Sequence, residues 1–350
     1  MSDFTAAGRI LEDAIGNRVC PAAVAEVGSR SGHRWRHATG RLTFEAGSPS
    51  ATVDTIFDLA SLTKVIATTT VAMRHVDAGL TPLDLPVASV LRGWRGDDRE
   101  TVTVRDLLAH ASGLTAHLPF YRDHVGRAEF ESAISRLPLE YPPRTRSIYS
   151  DLGFILLGFI LADRHPERVS IEDQFQAIAA RHGWGDLRFR PPATWRPRAA
   201  PTETDAWRGR TLTAEVHDEN AWALGGVAGH AGLFGTAGAV GRFARDVLAC
   251  FDGDGPLASA GTFETFRTRT GVRGSSRALG WDTMLPTSSC GTRLSAAAIG
   301  HTGFTGTSLW LDPDADRYIV LLTNRVHPSR TNEAILAMRP SFHDAVMEAG

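Results

Sequence analysis

The sequence predicts a mixed α/β fold of the α+β kind, and three observations predict it. A helical apolar period opens the chain and two strand-like runs follow it. A second group of strand-like runs lies near the other end, ahead of a closing helix. Between these ends a helical apolar period is legible at 65–76, and the apolar run 152–162 reads as a buried helix.

Taken in order, the first helix covers about residues 3–16, and strands cover 22–27 and 33–37, with glycine and serine between them as in a hairpin. Val65, Ile66, Thr69, Ala72, Met73 and Val76 then recur at three- and four-residue spacing, and Gly79 and Pro82 end that helix. The apolar run 152–162 is about half the length a bilayer requires and reads as a buried helix. The Pro/Arg-rich stretch 190–198 reads as an irregular surface loop. Strands follow at 278–285, 307–311 and 318–323, with a turn at 312–316, and a final helix starts near Thr331 or Asn332.

At 350 residues and 43% hydrophobic, the chain can bury a large core in two lobes. A net charge of -2 offers no electrostatic case for nucleic acid or an anionic membrane. Cys20, Cys250 and Cys290 are odd in number, widely spaced and without metal-ligand partners, so reduced or buried thiols are expected. His217-Asp218-Glu219-Asn220 has ligand types, but sequence neighbours seldom converge on one metal, so neither metal nor cofactor is expected. The first residues lack a basic region followed by an apolar core, which sets the expectation of a cytoplasmic protein.

Chemistry is signalled first by Lys64, the one lysine in the chain, three residues after Ser61 at the head of a predicted helix. Arginine stays protonated at any pH a protein survives, whereas a buried lysine can act as a base. Residues i and i+3 share a helix face, so the amine can reach the Ser61 hydroxyl. Ser61 would then lie at the positive end of the helix dipole, where free N–H groups can hold developing negative charge. To take a proton at neutral pH the amine must fall from its usual ~10.4, which asks about 4 kcal/mol of its surroundings. Alone, the tetrad is a weak signal. From the residues alone, Tyr149 in Ser147-Ile148-Tyr149-Ser150-Asp151 is a turn-flanking aromatic. His301-Thr302-Gly303-Phe304 reads as a strand whose glycine permits close backbone approach by a ligand.

Together, Ser61-Leu62-Thr63-Lys64, Tyr149-Ser150-Asp151 and His301-Thr302-Gly303 resemble, in order and approximate spacing, the Ser-x-x-Lys, Tyr-x-Asn and Lys/His-Thr-Gly motifs of the class C β-lactamase-like serine hydrolases. That group includes D-alanyl-D-alanine carboxypeptidases, family VIII esterases, D-aminopeptidases and some acyltransferases. The segments 107–114 and 225–234 look like the same group, so the resemblance spans about residues 20–345. It implies a β-lactamase/transpeptidase-like fold in which residues 1–80 and 236–350 join in one antiparallel sheet flanked by helices. Residues 81–235 would form a mainly helical insertion, with the site in the cleft between the two parts.

Carried over by position, Ser61 would be the acyl-forming nucleophile, with Lys64 and Tyr149 sharing proton transfer. His301, Thr302 and Gly303 would line the edge strand beside the substrate, and the N–H groups of Ser61 and Phe304 would form the oxyanion hole. Two departures stand out. His301 replaces the usual lysine, and Asp151 replaces an asparagine that would face the substrate, so that an ionised Asp151 could instead pair with Lys64 and hold it charged. Both changes argue against efficient penicillin hydrolysis and leave small esters, amides or peptides as the expected partners. Besides the esterase or amidase reading stand a β-lactamase or D,D-carboxypeptidase activity, an acyltransferase, and a non-turnover ligand binder.

Overall fold

The computed structural model describes residues 3–253 and 255–349. The chain opens with α1 (Thr5–Gly16) and the hairpin β1 (Ala22–Ser29) and β2 (Gly32–Gly40), as the apolar periods require. After the two-residue strand β3 (Phe57–Asp58) comes α2 (Thr70–Asp77), preceded by a π-helical stretch, Lys64–Thr69. The middle of the chain carries α3 (Val104–Leu108), α4 (Gly126–Ser135), α5 (Asp151–Arg164) and α6 (Ile171–Arg181). Three short strands follow, β4 (Leu187–Phe189), β5 (Thr204–Asp205) and β6 (Arg210–Thr211). Next come α7 (Glu219–Ala223), β7 (Leu233–Gly235), α8 (Ala237–Cys250) and α9 (Ala260–Arg267). The chain closes with β8 (Asp282–Thr283), β9 (Ile299–Thr302), β10 (Ser308–Asp312), β11 (Arg317–Thr323) and α10 (Ile335–Glu348).

One antiparallel sheet, ordered β2-β1-β11-β10-β9-β8, joins the first strands of the chain to the last. Ala23 faces Thr323 and Gly28 faces Tyr318 across that seam. Both faces of the sheet are covered, so its central strands β1, β10 and β11 are buried at every position rather than at alternate ones, and polar residues such as Glu26 are buried with them. Val24, Val320 and Leu322 point into the main core, where α8 packs. Ala25, Val27, Ile319 and Leu321 point the other way, into a second core under α1 and α10. A smaller sheet, β3-β7-β4, ties the segment before Ser61 to the middle of the chain.

Four local expectations change. The predicted helix at Lys64 begins as a π-helix, Lys64–Thr69, that is buried all round, and only its continuation α2 exposes a face, at Arg74 and Asp77. The run 278–285 yields only β8, because Gly280 turns at φ 82° with its N–H on the Leu108 carbonyl. Asn332 uses its side chain on Ala334 N and on the Arg18 carbonyl, and α10 starts three residues later. The loop 190–198 contains a 3₁₀ turn that buries Trp195. Run 152–162 is the buried helix α5, and among the described residues no helix is long and apolar enough to cross a membrane.

Candidate active site

Ser61 is presented by a sharp turn that local chemistry fixes. Asp58 Oδ1 accepts the Ala60 N–H at 2.8 Å, an Asx-type turn, and Ala60 is held at φ 47°, a region alanine seldom occupies. The carbonyls on either side are tied down by Thr305 Oγ1 to Asp58 O (2.7 Å) and Thr307 Oγ1 to Leu59 O (3.1 Å). The helix then starts behind Ser61, which leaves Ser61 half-exposed in the cleft while Lys64 is fully buried beneath it.

Every donor of the Lys64 ammonium is engaged: Ser61 Oγ at 3.0 Å, Asp151 Oδ1 at 2.7 Å and the His230 carbonyl at 3.1 Å. Asp151 reaches the amine from the first turn of α5, where the helix dipole favours a carboxylate. Its Oδ2 lies 3.8 Å from Nδ1 of the exposed His117. The Tyr149 ring lies against both Lys64 Nζ (4.8 Å to the centroid) and the Arg277 guanidinium (5.0 Å). The Tyr149 hydroxyl is enclosed beside Lys64 and Ser61, and among the described residues none meets it at good hydrogen-bond geometry.

Burial works to strip Lys64 of its proton, but Asp151 and then Tyr149 outweigh it and hold the amine above its usual range. Of the two charge states the sequence allows, the free site therefore adopts the charged one. Burial also raises the Tyr149 phenol; Lys64 opposes this and Asp151 reinforces it. His301 is held neutral, chiefly by burial and then by Arg277 and Lys64, and its Nδ1 faces the Thr302 carbonyl at 2.8 Å. It supplies no fixed positive charge. Arg277 supplies one, with Asp282 at 4.0 Å, beyond hydrogen-bond distance.

The expected strand motif is not on the edge strand, since β9 lies between β10 and β8. Yet β8 pairs only with Ile299 and Gly300, so His301 and Thr302 form an open end beside Ser61. Gly303 does permit a close approach, but by the protein itself: a Cβ there would meet Thr307 Oγ1 and stand 2.6 Å from the Leu59 carbonyl. Phe304 is exposed, and neither its N–H nor that of Ser61 donates to a protein acceptor among the described residues. Ser61, Tyr149, Asp151, His301, Thr302, Gly303 and Phe304 all line one cleft of about 700 Å³, with Lys64 buried behind Ser61.

Another depression, of about 820 Å³, is lined by Phe4, Arg9, Glu12, Trp35 and His37 and has no nucleophile paired with a base. No group of three or more His, Cys, Asp or Glu residues among the described residues could hold a metal ion. His217 faces Glu203 at 2.9 Å, Asp218 faces His230 at 2.9 Å, and Glu219 faces Arg330 at 2.6 Å. The Arg208 side chain is buried on Asp205 and the carbonyls of Val216 and His217. His110 is a brace, with Nδ1 accepting the Ser150 N–H at 3.0 Å and its ring against Tyr149.

The family known as Beta-lactamase matches residues 9–339. The chain belongs to the beta-lactamase family. An Escherichia coli K12 relative that carries the name D-alanyl-D-alanine carboxypeptidase is 32% identical over 317 residues, covering 79% of this chain and 70% of the relative. A class C beta-lactamase from Rhodobacter sphaeroides superposes with a TM-score of 0.76 at 20% identity, over 98% of this chain and 99% of that one. EstCE1, described as a hydrolase with promiscuous acyltransferase activity, superposes at 0.75 and 19% identity, over 97% and 98% of the two chains. These two structures establish a shared beta-lactamase fold, and the family supports a hydrolase.

Sequence reasoning missed Asp58, Arg277 and His117. Asp58 carried a usable signal, an Asx acceptor two residues ahead of a tight turn. Arg277 is one arginine among many, and His117 sits in a loop without a motif.

Proposed function

We propose that this beta-lactamase family member is a serine hydrolase that forms an acyl-enzyme on Ser61, acting on small carboxylic esters or amides. The observation that carries this reading is the 3.0 Å contact between Ser61 Oγ, which lines an open cleft, and the Lys64 ammonium buried behind it. Ser61 Oγ attacks the carbonyl carbon, the free N–H groups of Ser61 and Phe304 receive the developing oxyanion, and the leaving group departs with a proton. Water then attacks the acyl carbon and releases the acid. No cofactor enters any step.

A second reading is favoured by Arg277, a cation on the cleft wall with no hydrogen-bonded carboxylate among the described residues, together with the name of the E. coli relative: removal of a carboxyl-terminal residue from a D-alanyl peptide. Turnover of p-nitrophenyl butyrate and release of D-alanine from a D-alanyl-D-alanine peptide separate the two. In either case Ser61→Ala, at matched folding, is expected to lower activity by at least about a thousandfold. A variant that keeps wild-type turnover would overturn Ser61 as nucleophile. A single stoichiometric adduct without turnover would favour the binder.

A further inference from the structure

Resting on that reading, we propose that Asp151 receives the Ser61 proton through Lys64, so that the buried Lys64–Asp151 ion pair is the base of this site. The geometry leaves little alternative. An ammonium has three donors and no acceptor, and all three point at protein oxygens, one of them Ser61 Oγ. Lys64 as it stands cannot accept the serine proton. The Tyr149 hydroxyl stands beside Ser61 and Lys64 as a phenol that burial keeps protonated, so it holds a proton of its own where a base would need a free site. Asp151 Oδ1, 2.7 Å from Nζ, is the carboxylate in direct contact with the amine that touches the nucleophile.

The step balances without an outside reagent. As Ser61 Oγ bonds to the carbonyl carbon, its O–H bond breaks and the proton passes to Lys64 Nζ, while an Nζ proton moves to Asp151 Oδ1. The carbonyl π pair becomes the oxyanion. When the bond to the leaving group breaks, the proton returns from Asp151 through Lys64 to the leaving oxygen or nitrogen. Lys64 passes through its neutral amine only between the two transfers, and while the negative charge resides on the substrate Lys64 is again the ammonium and Asp151 the neutral acid. In a buried site an ion pair and its neutral tautomer lie close in free energy, because desolvation offsets the Coulomb attraction. An asparagine at residue 151 could not take this proton.

The groups facing the pair are Ser61, Tyr149, the His230 carbonyl and, at 3.8 Å from Oδ2, His117. The test is the acylation rate, read as the p-nitrophenol burst, across pH 6 to 10. In wild type the rate is expected to stay within about threefold from pH 6.5 to 9, since the base is already present. A wild-type rate that climbs tenfold per pH unit through that range would overturn the relay, because the proton would then have to leave for solvent first. Asp151→Asn is expected to lose on the order of a hundredfold at pH 7 and to recover as Lys64 deprotonates at alkaline pH. Asp151→Glu should lose only about tenfold. An equal loss at every pH would mark a merely structural Asp151. A gain in Asp151→Asn would mean that the aspartate silences Lys64 instead. A wild type with no Ser61-dependent burst fails the hydrolase reading itself, a separate result.

Discussion

Asp58 and His217, 159 residues apart, are joined by a hydrogen bond of 2.7 Å from the His217 N–H to the buried Asp58 Oδ2. The other oxygen of that carboxylate holds the strained turn ahead of Ser61. Asp58 thus fastens the Ser61 turn to the loop that carries Asp218, and Asp218 in turn faces His230, whose carbonyl receives Lys64.

Asp58→Ala is therefore expected to cost more than an ordinary buried hydrogen bond. It strands two backbone N–H groups away from water, at roughly 1–3 kcal/mol each, and frees an αL alanine. Urea denaturation should show a loss of about 2–5 kcal/mol, with kcat falling further than KM rises. A loss below about 0.5 kcal/mol would contradict this role.

Gly303→Ala tests the turn from the other side. The new methyl collides with Thr307 Oγ1 and the Leu59 carbonyl, which is backbone and cannot swing aside. Overpacking of this kind costs about 1–3 kcal/mol. A lower melting temperature together with reduced kcat is the expected outcome.

His343 makes the fold acid-sensitive. Burial, and then Arg339, push its imidazole down to about 3 from a usual value near 6.5. Between those values the unfolded chain binds a proton that the folded one refuses. Stability is thus complete above about pH 6.5 and drains as pH falls towards 3. From pH 7.5 to pH 5 this histidine alone should remove about 2 kcal/mol, measurable by urea midpoints, and His343→Gln should flatten that slope.

The thiols should be inert in the folded protein. Burial raises Cys20 and Cys290 to about 12 and Cys250 to about 11. Labelling with iodoacetamide at pH 8, followed by mass spectrometry, should leave all three unmodified until denaturant is added. Rapid native labelling of any of them would contradict its burial.

Residue order alone carried the elements whose identity is local. The hairpin, the α5 run and the closing strands follow from apolar spacing and turn residues, and Ser61 with Lys64 from a tetrad that puts both on one helical face. The two substitutions that matter most, Asp151 and His301, were visible as residue types. Their consequences were not, because a charge state depends on what surrounds a group in space. Only folding brought Asp151 within 2.7 Å of an amine 87 residues away and buried that amine, so that pairing outweighed desolvation. Only folding placed Arg277 against Tyr149 and His301, and Asp58 under His217. Such contacts join segments far apart in the chain, and no periodicity encodes them: hydrophobic spacing reports which face of an element is buried, not which distant side chain will meet it there.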